Sequence, residues 1–308
     1  MKKISVLALA FLLIVSLISP AAKVDAAGFK DVNSKYWAKD EIHYLANLNI
    51  INGYTNGKFG VNDPVKRSHV AVILYRALEL DSADVPDPGF KDVPVTHPAY
   101  KEIATCVAYG LFDQAEYFKP EKSMTRAQMA KVFADSFELV PAMAVPFKDV
   151  KKSDWFYQPV QALANYNITV GSDGYFKPNK PLTRAEFSVF LARIMEPTFR
   201  PGVNAVIESA SYKANGNLVA NLVIYNNTNH YITELNSRFT LYAESEEIAS
   251  HAFTKENPYP LKFKSFGLAP KGEKSITVEF KPNEITKKVE LTEDTMLEVL
   301  FLYEYYYK

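Results

Sequence analysis

One motif occurs three times and constrains the chain more than any other feature: Leu182-Thr183-Arg184-Ala185-Glu186, Met124-Thr125-Arg126-Ala127-Gln128 and Val65-Lys66-Arg67-Ser68-His69. The three arginines lie 59 and 58 residues apart, and each copy follows a Phe-Lys-Asp-Val unit, at 29–32, 90–93 and 147–150. Self-similarity at a fixed period means one supersecondary unit repeated, its copies stacking because none can bury its apolar face alone. In the third copy Thr183 and Glu186 have the spacing of a capping box, in which the hydroxyl takes a helix-start N–H and the carboxylate reaches back to the cap. Phe187, Phe190, Leu191, Ile194 and Met195 follow at i, i+3, i+4, i+7 and i+8, the spacing of one buried helical face. The second copy leads into Met129, Val132, Phe133 and Phe137, the first into Val70, Ile73, Leu74, Ala77 and Leu78. Arg184 takes the first helical position, where a cation at the positive end of the dipole costs about 0.3–1 kcal/mol. A functional use is therefore expected of it.

Upstream of each motif the unit repeats a second pattern. Ile42, Leu45, Ala46 and Leu48 predict a short amphipathic helix after Trp37. Asn52-Gly53-Tyr54-Thr55-Asn56-Gly57 reads as consecutive turns, then Phe59 and Pro64 lead to the second helix. The third repeat keeps Trp155, Val160, Leu163, Gly171-Ser172-Asp173-Gly174, Phe176 and Pro178, with a loop one residue shorter. The second has Pro98 in place of the tryptophan and has lost the glycine pair between Gly110 and Phe118. The expected architecture is an all-α, pseudo-threefold domain of helix-loop-helix units with the second helices central.

Taken together, the Phe-x-Asp-Val start, Trp37-Ala38, the turn Gly53-Tyr54-Thr55-Asn56-Gly57-Lys58-Phe59 and Thr183-Arg184-Ala185-Glu186 resemble S-layer homology (SLH) repeats. The resemblance covers residues 29 to about 196. It implies non-covalent attachment to secondary cell-wall polysaccharide, typically carrying pyruvyl ketals, in Gram-positive bacteria.

Other features bound the rest of the chain. Residues 1–27 carry Lys2 and Lys3, an apolar run from Val6 to Ile18, Pro20 and a small-residue site near Val24-Asp25-Ala26, the order of a secretory signal. The run is too short to span a bilayer. Removing residues 1–26 leaves a net charge of about −2 and no polybasic patch, which speaks against nucleic acid. The single cysteine, Cys106, stands where the other repeats have Leu45 and Leu163, and is expected to be a small core residue.

Beyond Pro197 to Pro201 the hydrophobic period changes to two, with strands expected near 205–212, 218–225, 237–243, 274–280 and 296–306. Turns at Asn215-Gly216, Asn226-Asn227, Asn257-Pro258 and Pro270-Lys271-Gly272 separate them. An immunoglobulin-like β-sandwich is expected over 203–308, after a signal at 1–27 and repeats at 28–85, 86–143 and 144–200. The terminal run Tyr303, Tyr305, Tyr306 and Tyr307 fits either a last strand or an aromatic binding platform.

No metal spacing, nucleophile elbow or phosphate loop is present; the five histidines are expected on the surface, and neither catalysis nor a cofactor is expected. The expected polysaccharide-binding residues are Arg67, Arg126 and Arg184, Thr125, Thr183 and Glu186, and Trp37, Trp155, Gly53 and Gly171. A carboxylated sugar would meet an arginine fork bidentately and accept from backbone N–H groups at the helix start, in a groove between adjacent repeats. Trp37 and Trp155 either wedge the repeats from inside or stack on sugar rings, and the glycines are turn formers first. The expected partner is wall polysaccharide attached to peptidoglycan, with an S-layer or other surface protein as a possible partner of the β-domain. A wall-anchored enzyme and a lattice subunit are the alternatives.

Overall fold

The computed structural model describes residues 28–141, 144–145, 147–254, 256–293 and 295–307. The signal segment expected at 1–27 lies outside them. Six helices come in pairs: α1 (Lys39–Asn47) and α2 (Arg67–Ala77), α3 (Tyr100–Ala108) and α4 (Arg126–Ser136), α5 (Tyr157–Asn165) and α6 (Arg184–Met195). The first helix of each pair stops at a residue in the left-handed region: Asn49, Gly110 and Asn167. Asparagine and glycine tolerate that conformation, and it lets the last turn close on itself. Thr125 and Thr183 make the capping boxes with Gln128 and Glu186, whereas Lys66 makes no side-chain cap for α2.

The second helices form the centre. Of the 12 residues of α6, nine are buried, against two of nine in α1. All three pairs share one apolar cluster, which includes Leu45, Phe133, Leu163 and Phe187. Cys106 is part of it, fully buried, with its Sγ donating to the carbonyl of Ala71 at 3.4 Å. Burial pushes its thiol up to about 12, so it is an unreactive core residue, as expected.

A short 3-10 turn at Pro197–Phe199 ends the helical part, and seven strands follow: β1 (Val203–Tyr212), β2 (Leu218–Asn226), β3 (Ile232–Ala243), β4 (Glu246–Ser250), β5 (Leu261–Phe263), β6 (Glu273–Phe280) and β7 (Leu297–Tyr307). One antiparallel sheet runs β1-β2-β6. In the other, β3 pairs with β7 along its whole length on one edge, and with β4 and then β5 on the opposite edge. The facing sides enclose a second apolar cluster, including Leu222, Ile224, Phe239, Leu241 and Phe280. Two strands escaped the periodicity: β5 has only three residues, and the exposed pair Glu246 and Glu247 at the start of β4 reads as a turn.

His251 corrects the expectation of surface histidines. It is 3% exposed, stacks on Phe280 at 4.1 Å and accepts weakly from the Phe239 amide at 3.4 Å. An aromatic slot between two sheets takes a flat imidazole as readily as a phenyl ring, and burial lowers its pKa so that it sits there neutral. The terminal tyrosines follow the strand reading along most of their length: Phe301, Tyr303 and Tyr305 stack successively at 4.8 and 6.1 Å beside the core.

The two parts meet through polar contacts. Tyr166 Oη donates to Glu298 at 2.7 Å, Asn167 Nδ2 to Asn204 at 3.0 Å, and Asn227 Nδ2 to the carbonyls of Pro197 and Arg200 at 2.9 and 2.7 Å. Burial, aided by the Glu138 charge, raises the Glu298 carboxyl to about 7.

Candidate functional site

The loop between the helices of each pair is clasped from both sides. Asp31 of the first Phe-Lys-Asp-Val unit accepts the amides of Phe59, Gly60 and Val61 at 2.6, 2.8 and 3.2 Å. Asp92 holds Phe118 and Lys119, and Asp149 holds Phe176 and Lys177, all at 2.7–2.8 Å. The carbonyls of those same phenylalanines are taken by the repeated arginines, each from a different repeat. Arg67 Nε donates to Phe118 at 2.8 Å, Arg126 Nε to Phe176 at 2.6 Å and Arg184 Nε to Phe59 at 2.9 Å. The guanidinium lies over the same phenylalanine ring in each case, 4.6–4.8 Å from its centroid. Repeat one thus grips repeat two, two grips three, and three grips one.

This geometry explains the unfavourable cation at the first helical position and corrects part of the expected mechanism. The helix-start amides are not open to an anion. Arg184 N–H donates to Asp63 at 2.8 Å, Arg126 N–H to Lys180 and Arg67 N–H to Lys122 at 3.0 Å, and the next amide along reaches Val61, Pro178 or Pro120. The third amide of α4 and α6 is taken by the threonine cap. The arginine fork is also partly committed: besides Phe59, Arg184 binds the Asn52 carbonyl through Nη2 at 2.7 Å. In Arg67 and Arg126 only Nε finds a hydrogen-bond acceptor among the described residues.

Where repeat three meets repeat one, the surface opens into a cavity of about 220 Å³. Arg184 enters from α6, His69 and Arg76 from α2, and Asn52, Gly53 and Tyr54 from the loop, against an apolar wall of Ile51, Val72 and Phe187. Three nitrogenous cations or potential cations line it, and among the described residues no carboxylate does. Burial lowers the pKa of Arg184, with Asp63 and Asp31 opposing that shift. Burial, then the charges of Arg184 and Lys66, hold His69 below the usual imidazole range. With the Asn52 amide oriented to satisfy both neighbours, its oxygen accepts from Arg76 Nη1 at 3.1 Å. An apolar wall with a few convergent donors is the ordinary chemistry of a pocket for a small acidic ligand.

The expected site residues divide. Arg184 and Gly53 meet in this groove, while Thr183 and Glu186 cap the helix that presents Arg184, Glu186 being tied to Lys180 at 2.6 Å. Thr125 and Arg126 belong to the second clasp, Arg67 to the remaining one. Trp37 and Trp155 are both 60% exposed, which removes the wedge reading, and neither lines the groove. Trp155 borders a separate, more open polar hollow with Asp154, Tyr157, Gln158 and Gln161. Gly53 and Gly171 are dictated by packing: a Cβ on either would stand 2.6 Å from the Phe29 or Phe147 ring and 2.7 Å from a loop carbonyl. The clasp aspartates and the groove residues His69 and Arg76 were not anticipated. The aspartates carried a signal in their threefold recurrence, and His69 in its departure from the glutamate or glutamine of the other copies.

Three helix pairs clasped in a ring by arginines 59 and 58 residues apart set a repeat pattern, and a sequence comparison identifies it. Residues 28–71, 89–130 and 146–188 match the S-layer homology domain, so the chain carries three SLH domains. It is 32% identical over 187 residues to an S-layer protein of Bacillus licheniformis, covering 58% of this chain and 21% of that one. It is 29% identical over 148 residues to a cellulosome-anchoring protein of Acetivibrio thermocellus, covering 46% and 33%. It is also 29% identical over 200 residues to an endoglucanase of a Bacillus species, covering 59% and 21%. The chain therefore spans between a fifth and a third of the length of these relatives.

Proposed function

We propose that this protein is a non-catalytic surface protein, held non-covalently on secondary cell-wall polysaccharide by its SLH repeats while it displays a small immunoglobulin-like sandwich. The observation that carries this is the groove between repeats three and one. Arg184, Arg76 and His69 converge there beside an apolar wall, with no carboxylate among the lining residues described. A sugar bearing a carboxylate, such as a pyruvyl ketal, offers both halves of the complement: an anion for the guanidinium groups and an apolar ring face for Val72, Phe187 and Tyr54. Arg67 and Arg126, whose terminal nitrogens find no acceptor among the described residues, offer weaker secondary contacts along a polymer, and repeated contacts raise avidity. Trp37 and Trp155 are exposed platforms outside the main groove on which further sugar units stack.

The sandwich is proposed to engage an S-layer or other surface protein. The anchoring role is favoured over a wall-anchored enzyme because no cluster of three or more histidine, cysteine or carboxylate side chains suited to a metal occurs among the described residues, and the sequence offers no nucleophile motif. Sedimentation of the full chain with purified walls, before and after acid extraction of the polysaccharide, tests the reading. Binding is expected to vanish with extraction and to weaken about tenfold in Arg76→Gln, an exposed position where folding is not at stake. Undiminished binding to extracted walls, or clearing of wall substrate in zymograms, would refute it.

A further inference from the structure

The three copies of the repeated motif differ at one position in a way the anchoring role alone does not use. Gln128 and Glu186, at the third position of α4 and α6, reach back to the cap amide at 3.1 and 3.0 Å. His69 holds the same position in α2 but makes no cap. Its ring instead lines the groove with Arg184 and Arg76, and its buried Nδ1 has no hydrogen-bond partner among the described residues. A buried ring nitrogen without a partner is costly.

We infer that His69 is a specificity-determining residue of this groove, one that binds the carboxylate of the sugar and takes up a proton from solution as the carboxylate enters. This rests on the groove being the polysaccharide site. In the free protein the groups facing His69 are Lys66 just before its helix, Arg76 on it, Arg184 from α6, Tyr54 from the loop, and Glu121 from the segment before α4. Three are cations, and Glu121 is already paired with Lys66 at 2.5 Å, so burial and these charges disfavour protonation of the free ring. A carboxylate placed among Arg184, Arg76 and His69 reverses the local field and stabilises the imidazolium. Linkage then requires the affinity to rise as pH falls. A neutral sugar, or a ring lacking the acidic substituent, gains nothing from the proton, and this makes His69 a discriminator rather than a general contact.

The test is a titration of the full chain with a methyl hexopyranoside carrying a 4,6-pyruvate ketal, at pH 5.5 and 7.5. Wild type is expected to bind about tenfold tighter at pH 5.5, the scale of one added charge-assisted hydrogen bond. His69→Gln, which copies the residue repeat two already holds at Gln128, is expected to bind equally at both pH values. The same sugar without its ketal should show no pH dependence with either protein. An equal gain at low pH in His69→Gln, or none in wild type, overturns the inference. If Arg76→Gln still loses affinity for the ketal while His69→Gln behaves as wild type, the groove reading stands and only the role of His69 falls. If neither substitution changes binding, both fall.

Discussion

Replacing Arg184 by alanine tests whether the repeated arginine is a structural clasp as well as a ligand contact. Only 7% exposed, it donates to Phe59 at 2.9 Å and Asn52 at 2.7 Å and lies over the Phe59 and Tyr54 rings at 4.6 and 5.0 Å. A hydrogen bond from a charged donor is worth about 1.5–3 kcal/mol, and water entering the vacated space recovers part of the loss. A net destabilisation of about 3 kcal/mol is therefore expected for the helical part. Followed by far-UV circular dichroism at 222 nm, the urea midpoint should fall by about 1–3 M at unchanged slope, since urea slopes are about 1–3 kcal/mol per molar. Arg126→Ala and Arg67→Ala each remove one such bond and should fall by roughly half as much. A variant that loses polysaccharide binding yet unfolds at the wild-type midpoint would show that the arginine serves the ligand alone, and the clasp would have no energetic weight.

Burial acts to raise the Asp31 carboxyl, but the amides of Phe59, Gly60 and Val61 outweigh it and hold the pKa below the usual carboxylate range. The stability it contributes is present above its ordinary pKa and lost as pH falls through the lower folded value; Asp31→Asn should therefore lower the melting temperature at pH 7 and lose much less below pH 3. Glu298 has the opposite sign: its carboxyl is raised to about 7, so its stabilising share is complete below pH 4.5 and disappears as pH rises through 7. Calorimetry should show wild type losing stability from pH 5 to 8 and Glu298→Gln holding level, and parallel curves would refute the buried-acid account. Cys106 should resist a thiol reagent such as Ellman's in the native protein and react fully in denaturant, and rapid native labelling would contradict its place in the core. Attachment through polysaccharide contacts predicts that denaturant rather than detergent releases the protein from walls, and recovery in the detergent phase would count against it.

Much of this could be read from the chain because the repeat wrote it three times. The helices, the two capping boxes and the central burial of α6 followed from local periodicity and from Thr183 and Glu186, features encoded within a dozen residues. The role of the arginines did not, because their acceptors lie 50 to 125 residues away in a different repeat. A cation at a helix start announces that something offsets its cost, but not whether a ligand or a carbonyl does so. His69 gave no sign of its place in the groove for the same reason: part of its environment is built by α6, which no local stretch of sequence contains. His251 entered the interior through aromatic stacking with Phe280, a pairing across sheets that alternation alone does not reveal.

The ring of clasps also governs how such a protein can be inherited. Because Arg184 of the third repeat closes on Phe59 of the first, the copy number is quantised rather than open-ended. Deleting one repeat strands a guanidinium at one end and a carbonyl at the other, and adding a fourth leaves it without a partner. Duplication and exchange between genes should therefore move these units as whole triplets, and a lone repeat on another chain would be expected to borrow its missing neighbours from further copies of itself.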